Sequence, residues 1–192
     1  NHRVKNSLQI VTSLLMLQSQ SSDSAELKQS LKEACARVDT VAGLHNRLYS
    51  DGGHSNIMLG SYLRDFTLST VKAFSNVGAI DVQFSESAEV ELDMDRAVPI
   101  ALIVGELLTN SIKYAFENQV EKNITVAVSL DDDHVNITVS DNGKGLPVDF
   151  AITASNGFGM KIVKGLLSQI SGSFTQLKLD RGTGFLISFP KL

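Results

Sequence analysis

The sequence predicts an α+β architecture: a helical hairpin that pairs with a second copy into a four-helix bundle, followed by an α/β sandwich with helices on one face of a mixed sheet. Three observations predict it. Apolar residues recur in steps of four and three from Leu27 to Leu48, a strongly apolar helical stretch covers about residues 96–116, and two β-branched runs at 124–130 and 135–140 flank the polar turn Asp131, Asp132, Asp133. The first is the seam of packed helices, the second a helix whose apolar residues should pack on a sheet, and the third an antiparallel strand pair.

In order along the chain, residues 2–20 fit an amphipathic helix whose apolar arc, carrying Val4, Leu8, Ile10, Val11, Leu14, Leu15 and Leu17, covers about half the circumference. His2, Asn6, Gln9 and Ser13 line the other face. So wide an arc implies more than one packing partner. Asp23, with Glu26 three residues on, reads as a capping box that starts a second helix running to about residue 49. Its seam is Leu27, Leu31, Ala34, Val38, Val41, His45 and Leu48. Two helices alone cannot bury this much apolar surface, which leads to a homodimer. Residues 50–55, with Asp51, Gly52 and Gly53, read as a linker, dividing the chain into a hairpin (1–54) and a second domain (55–192). A helix at 59–74 and a strand at 80–84 precede the apolar helix. After a glycine-rich stretch come a helix at 160–170 and closing strands at 173–179 and 184–189 around Asp180, Arg181 and Gly182.

Composition narrows the function. The chain has 192 residues, 43% of them apolar, and a net charge of −4 with scattered Lys and Arg, so the basic footprint of a nucleic-acid binder is missing. One cysteine, Cys35, permits neither an internal disulfide nor a thiol zinc site and fits a reducing compartment. No apolar run nears the roughly 20 residues that span a bilayer, so no membrane contact by this stretch and a cytoplasmic location are expected. The start at Asn1, helical in pattern by Val4, suggests a piece of a longer protein.

Three clusters carry chemistry. Glu106, Asn110 and Lys113, spaced four then three, share one face of the apolar helix, where they could present a cation ligand and a phosphate contact; the same spacing also fits a solvent-facing stripe. Asp141, Asn142, Gly143, Lys144, Gly145 ends a strand: alternate glycines let backbone approach a flat ligand, and the Asp can accept from an exocyclic amine. A calcium loop would need more acids at alternate positions. Gly157, Phe158, Gly159 opens a helix, whose free N–H groups favour an anion, although such a turn is common in structural roles.

In order and spacing, these clusters resemble the N, G1 and G2 boxes of the histidine-kinase and related ATPase superfamily. The resemblance implies ATP and Mg²⁺ as cofactors, with Asn110 on the metal, Asp141 reading adenine, Lys113 and Tyr114 near phosphate and base, and glycines 143, 145, 157 and 159 lining the nucleotide. Residues 148–156 correspond to the ATP lid, and Gly182, Thr183, Gly184 to the closing strand, which places Thr183 at the nucleotide. His2, Arg3, Val4, Lys5, Asn6 is similar to the phosphoacceptor box of the His-Arg-x-Lys-Asn subclass of dimerisation and histidine-phosphotransfer domains, and residues 45–49 to that domain's end.

What this implies is a two-component sensor histidine kinase core that phosphorylates its own His2 and passes the phosphoryl group to an aspartate of a response-regulator receiver domain. His45 is expected to pack, and His54 and His134 to be solvated. Glu106 is the candidate for metal-water or proton handling. Many relatives carry an acid directly after the histidine, where this chain has Arg3, so an adjacent-carboxylate base does not transfer and a phosphatase role for Asn6 stays open. The alternatives are a non-catalytic histidine phosphotransfer protein, against which the complete boxes speak, and a related ATPase or anti-sigma serine kinase, neither of which calls for the hairpin.

Overall fold

The computed structural model describes residues 2–50, 56–74, 78–147 and 157–191, leaving out the side chains of residues 2, 3 and 48–50. Of the expected linker, Ser50 ends a helix, and residues 51–55, with His54, lie outside the described residues, as does the 148–156 stretch. Two helices come first, α1 (His2–Ser21) and α2 (Ala25–Ser50), packed against each other as a hairpin. Ser24, not Asp23, caps α2: its Oγ accepts from the Leu27 N–H at 3.2 Å. Between the helices, Thr12 bonds Asp39 and Ser19 donates to the Lys28 carbonyl, so this seam is partly polar.

The remaining elements are β1 (Asn56–Met58), α3 (Leu59–Ala73), β2 (Asp81–Glu86), β3 (Glu91–Asp93), α4 (Met94–Asn110) with a π-helical turn over Ser111–Ala115, β4 (Asn123–Leu130), β5 (His134–Asp141), α5 (Phe158–Gln169), β6 (Ser173–Leu177) and β7 (Thr183–Pro190). Strands β2-β4-β5-β7-β6 form a mixed five-stranded sheet, parallel only between β2 and β4. Alternation sends Ile124, Val126, Val128, Val135, Ile137, Val139, Ile187 and Phe189 inward, where they are all but fully buried beneath the helices. The α+β sandwich expected from sequence is the observed architecture. Sequence periodicity missed β1 and β3, three residues each, which pair antiparallel with Ile57 opposite Leu92. That short ladder joins the starts of α3 and α4, and Asp93 caps α4 by accepting from the Arg96 N–H.

Within one chain the two predicted helical seams are partly covered, with Leu31, Ala34, Val38, Val41 and His45 of α2 partly buried. Among the described side chains of α1, Leu8, Thr12, Leu15 and Ser19 turn inward, while Val4, Ile10, Val11, Leu14 and Leu17 stay exposed on one side of the helix. In α2 Leu27 is exposed and the buried positions are Cys35 and Leu44. The reason is that α2 has two faces, one on α1 and one on α4. Leu44, with no exposed surface, joins the same core as α3 and α4. Arg47 adds an ion pair to Asp65 at 2.7 Å and a bond to Ser61, tying this end of α2 to α3. Leu44→Ala should therefore cost roughly 2–5 kcal/mol in a urea unfolding titration, whereas Leu68→Ala, at a half-exposed position of α3, should stay within about 0.5 kcal/mol.

Candidate functional site

A cleft of about 1440 Å³ opens between α2, the end of α4, the start of α5 and the ends of β5 and β7. Asp141, the last residue of β5, is buried at its floor, and both carboxylate oxygens are engaged. Oδ1 accepts from the N–H groups of Gly143 at 2.9 Å and Thr183 at 3.1 Å, and Oδ2 accepts from the Ser111 hydroxyl at 2.7 Å. Three donors fix the carboxylate's plane and offset the cost of burying it. Oδ2 keeps acceptor capacity for an incoming N–H.

Two glycines make this packing possible. A side chain at Gly143 would meet the backbone of Ala115, and one at Gly182, whose φ is +85°, would run into the Asp141 carbonyl. Gly145 holds a left-handed φ of +76° and turns the chain back along the cleft wall. The loop expected to approach a flat ligand is thus wedged between the π turn and the β6–β7 connection.

Along the wall, α4 delivers Glu106 and Asn110, and the π turn delivers Lys113 and Tyr114, the latter exposed at the mouth. A π turn widens the helix by one residue, so Lys113 and Tyr114 are aimed differently than a continued α-helix would aim them. Glu106 is mostly buried and receives a bidentate Arg37, Nε to Oε1 at 2.6 Å and a terminal guanidinium nitrogen to Oε2 at 3.1 Å. Lys113 Nζ donates to Glu33 at 2.6 Å. The Arg37 guanidinium also lies over the Phe158 ring, 5.2 Å from its centroid. At the far end Gly157 caps α5 and leaves open space where a side chain would stand, while a Cβ on Gly159 would strike the Glu106 carboxylate. Asn110, Lys113, Tyr114, Asp141, Gly145, Gly157, Gly159 and Thr183 therefore all border one cleft. His2 opens α1, and its side chain lies outside the described residues. His45 is partly buried, and His134 is half-exposed, 3.9 Å from Asp131.

The site fits a nucleotide and a hard cation. The Asn110 amide oxygen and the Glu106 carboxylate, one helical turn apart, are oxygen donors, and no cluster of three or more His, Cys, Asp or Glu groups suited to a metal occurs among the described residues. A small divalent ion held by so few protein oxygens needs phosphate oxygens and waters to complete its shell, the usual arrangement for Mg²⁺. The free N–H groups at the start of α5 suit an anion.

Sequence reasoning did not assign Ser111, Glu33 or Arg37. Ser111 sits beside Asn110 in the motif, but a hydroxyl aimed across to another strand leaves no sequence signature. Glu33 and Arg37 form an ordinary i, i+4 acid–base pair, 3.9 Å apart. Glu33's carboxyl lies below the usual range: burial raises it, but hydrogen bonds from Gln29 and Lys113 and the charges of Lys113 and Arg37 outweigh that.

Comparison with known proteins agrees with this geometry. Residues 1–74 match a histidine kinase family model and residues 95–192 match that of the histidine kinase-, DNA gyrase B-, and HSP90-like ATPases. The chain is 29% identical over 99% of its length to sensor histidine kinase PdtaS of Mycobacterium tuberculosis, covering 38% of that protein. It is 28% identical over 97% of its length to blue-light-activated histidine kinase 2 of Erythrobacter litoralis, covering 54%. The chain thus spans between about a third and a half of these relatives. The solved histidine kinase domain of the Erythrobacter litoralis EL346 blue-light activated histidine kinase superposes with a TM-score of 0.74 at 21% identity, over 99% of this chain and 93% of that one, which shows the shared fold. Hairpin, sheet domain and cleft together belong to one lineage: the chain is a member of the histidine kinase-, DNA gyrase B-, and HSP90-like ATPase family, in its histidine kinase branch.

Proposed function

We propose that this chain is the core of a two-component sensor histidine kinase that uses ATP to phosphorylate its own His2 and then donates the phosphoryl group to an aspartate of a response-regulator receiver domain. The observation that supports it most is the fixed Asp141 carboxylate on the floor of a cleft that also exposes Asn110 and the glycines opening α5. The division into a hairpin (1–54) and an ATP-binding domain (55–192) and a cytoplasmic setting go with this reading.

Asp141 Oδ2 accepts a hydrogen bond from the exocyclic amine of adenine, with Gly145 and Thr183 shaping the base's edge, Gly143 acting through its N–H on Asp141, and Tyr114 covering the outer side. Asn110 would hold Mg²⁺ through its amide oxygen, and the ion, when bound, would supply charge neutralisation of the phosphates. Lys113 and the N–H groups at Gly157 and Gly159 take phosphate oxygens, which positions the γ-phosphorus for in-line attack. An imidazole nitrogen of His2 forms the new P–N bond as the bond from phosphorus to the ADP oxygen breaks. Neutral imidazole is well populated near pH 7, so the nucleophile needs little activation. Its ring proton leaves to solvent or, through water, to Glu106.

The exposed apolar face of α1, together with Leu27, is the surface we assign to a second copy, completing a four-helix bundle. Leu14→Glu places a charge at the middle of that face. It should shift the chain from dimer to monomer in sedimentation equilibrium at micromolar concentration; an unchanged dimer would move the interface elsewhere.

Incubation with γ-labelled ATP and Mg²⁺ should give an acid-labile, alkali-stable label that disappears in His2→Ala. Persistence of that label in the variant would remove His2 as the acceptor. Asn110→Ala should slow labelling by about two orders of magnitude, the scale expected for losing one oriented group where charge develops. Asp141→Asn keeps an acceptor for the Gly143 and Thr183 N–H groups but turns an amide donor towards the base. Adenine-nucleotide affinity, measured by calorimetry, should fall roughly 10- to 100-fold, matching one unpaired buried donor.

A further inference from the structure

The two site side chains that the nucleotide reading needs for phosphate and metal-water contacts are both engaged by α2. Glu106 has both oxygens held by Arg37, and Lys113 is held by Glu33. The charges are crosswise complementary: α2 offers Glu33 and Arg37 one turn apart, and α4 with its π turn answers with Lys113 and Glu106. Arg37 further covers Phe158, at the start of the helix that opens the anion site. Both pairs are partly buried, where screening by salt is weaker than at a surface pair. The contact sits at the phosphate end of the cleft, since Gly159 abuts the Glu106 carboxylate.

We propose that Arg37 and Glu33 are positioning residues of the kinase reaction, acting through Glu106 and Lys113: they hold these groups on α2 until Mg²⁺-nucleotide takes them over, so that docking of α2 and loading of the site compete. The inference rests on the nucleotide reading of the cleft and adds to it. The phosphates of a nucleotide, ADP included, carry more than one negative charge against the single carboxylate of Glu33, and they therefore outcompete Glu33 for Lys113. Glu106, to serve a metal-bound water, must free at least one oxygen from the guanidinium. Loss of these two pairs would leave α2 attached at its other end, where Leu44 is sunk in the core and Arg47 bonds Asp65 and Ser61.

The test uses the double variant Glu33→Gln/Arg37→Gln, which removes one charge of each sign and leaves the net charge facing the phosphates unchanged. Calorimetric titration with ADP and Mg²⁺ should show binding about three- to tenfold tighter than in the unaltered chain, the range expected when one or two ion pairs no longer compete. Arg37→Lys, which retains the charge but not the bidentate geometry, should fall between the two. Hydrogen–deuterium exchange in residues 29–40 of the unaltered chain should accelerate on saturation with ADP and Mg²⁺. A purely structural role for the pairs would leave nucleotide affinity unmoved. Equal or weaker binding by the double variant, or slower exchange of α2 on loading, would overturn the competition and make α2 a wall of the nucleotide site. Absence of binding by every form, with cooperative thermal melting intact, would instead sink the nucleotide reading, and the competition with it.

Discussion

Everything in this molecule hangs on the burial of α4. Ala97, Ile100, Ala101, Ile103, Val104, Leu107 and Leu108 are all but fully buried, and the helix meets the hairpin, α3 and α5 as well as the sheet. A helix enclosed on most sides has little freedom to shift, because interiors packed at crystal-like density do not absorb displacements. Its last turns carry Glu106 and Asn110, so the groups that face the cleft inherit that rigidity. Past Asn110 the helix loosens into the π turn, and its polar residues diverge: Ser111 turns to Asp141, Lys113 to α2, Tyr114 to solvent. One rigid core element thus supplies both the fold's centre and most of the site.

The opposite side of the cleft is built by close backbone approach. Among the described residues Asp141 has no cationic hydrogen-bond partner; two main-chain N–H groups and a hydroxyl hold it. Dipoles leave the carboxylate able to accept one further bond, where a guanidinium clamp of the kind seen on Glu106 would occupy both oxygens. Both acids line the cleft, and they are held in opposite manners. Asp141 is fixed by groups close to it on β5, β7 and the π turn and stays available, whereas Glu106 is engaged by α2 of the hairpin.

Much of this was legible in the sequence. Long periodic segments such as α4 and the β4–β5 pair follow directly from side-chain alternation, and the glycine positions mark where backbones meet, as Gly143 and Gly182 do. Strands β1 and β3 escaped notice because three residues cannot display a period. Leu44 was passed over because a heptad reading assumes one partner per helix, and α2 has two. Ser24 displaced Asp23 as the cap, a shift of one position that composition cannot resolve since both residue types cap well. The Arg37–Glu106 contact spans 69 positions, and nothing local to either residue encodes it.

Helix α2 can also be considered as a lever. Its fixed end is Leu44, sunk into the core, and Glu33 lies eleven residues away, about 16 Å along the axis at the α-helical rise. Tilting a rigid rod of that length by about 10° carries its far end through roughly 3 Å, which is enough to open a contact of hydrogen-bond length while the pivot barely moves. A small change in the angle of the hairpin about Leu44 would therefore be enough to part the ion pairs at the cleft, long before it disturbed the core at the pivot.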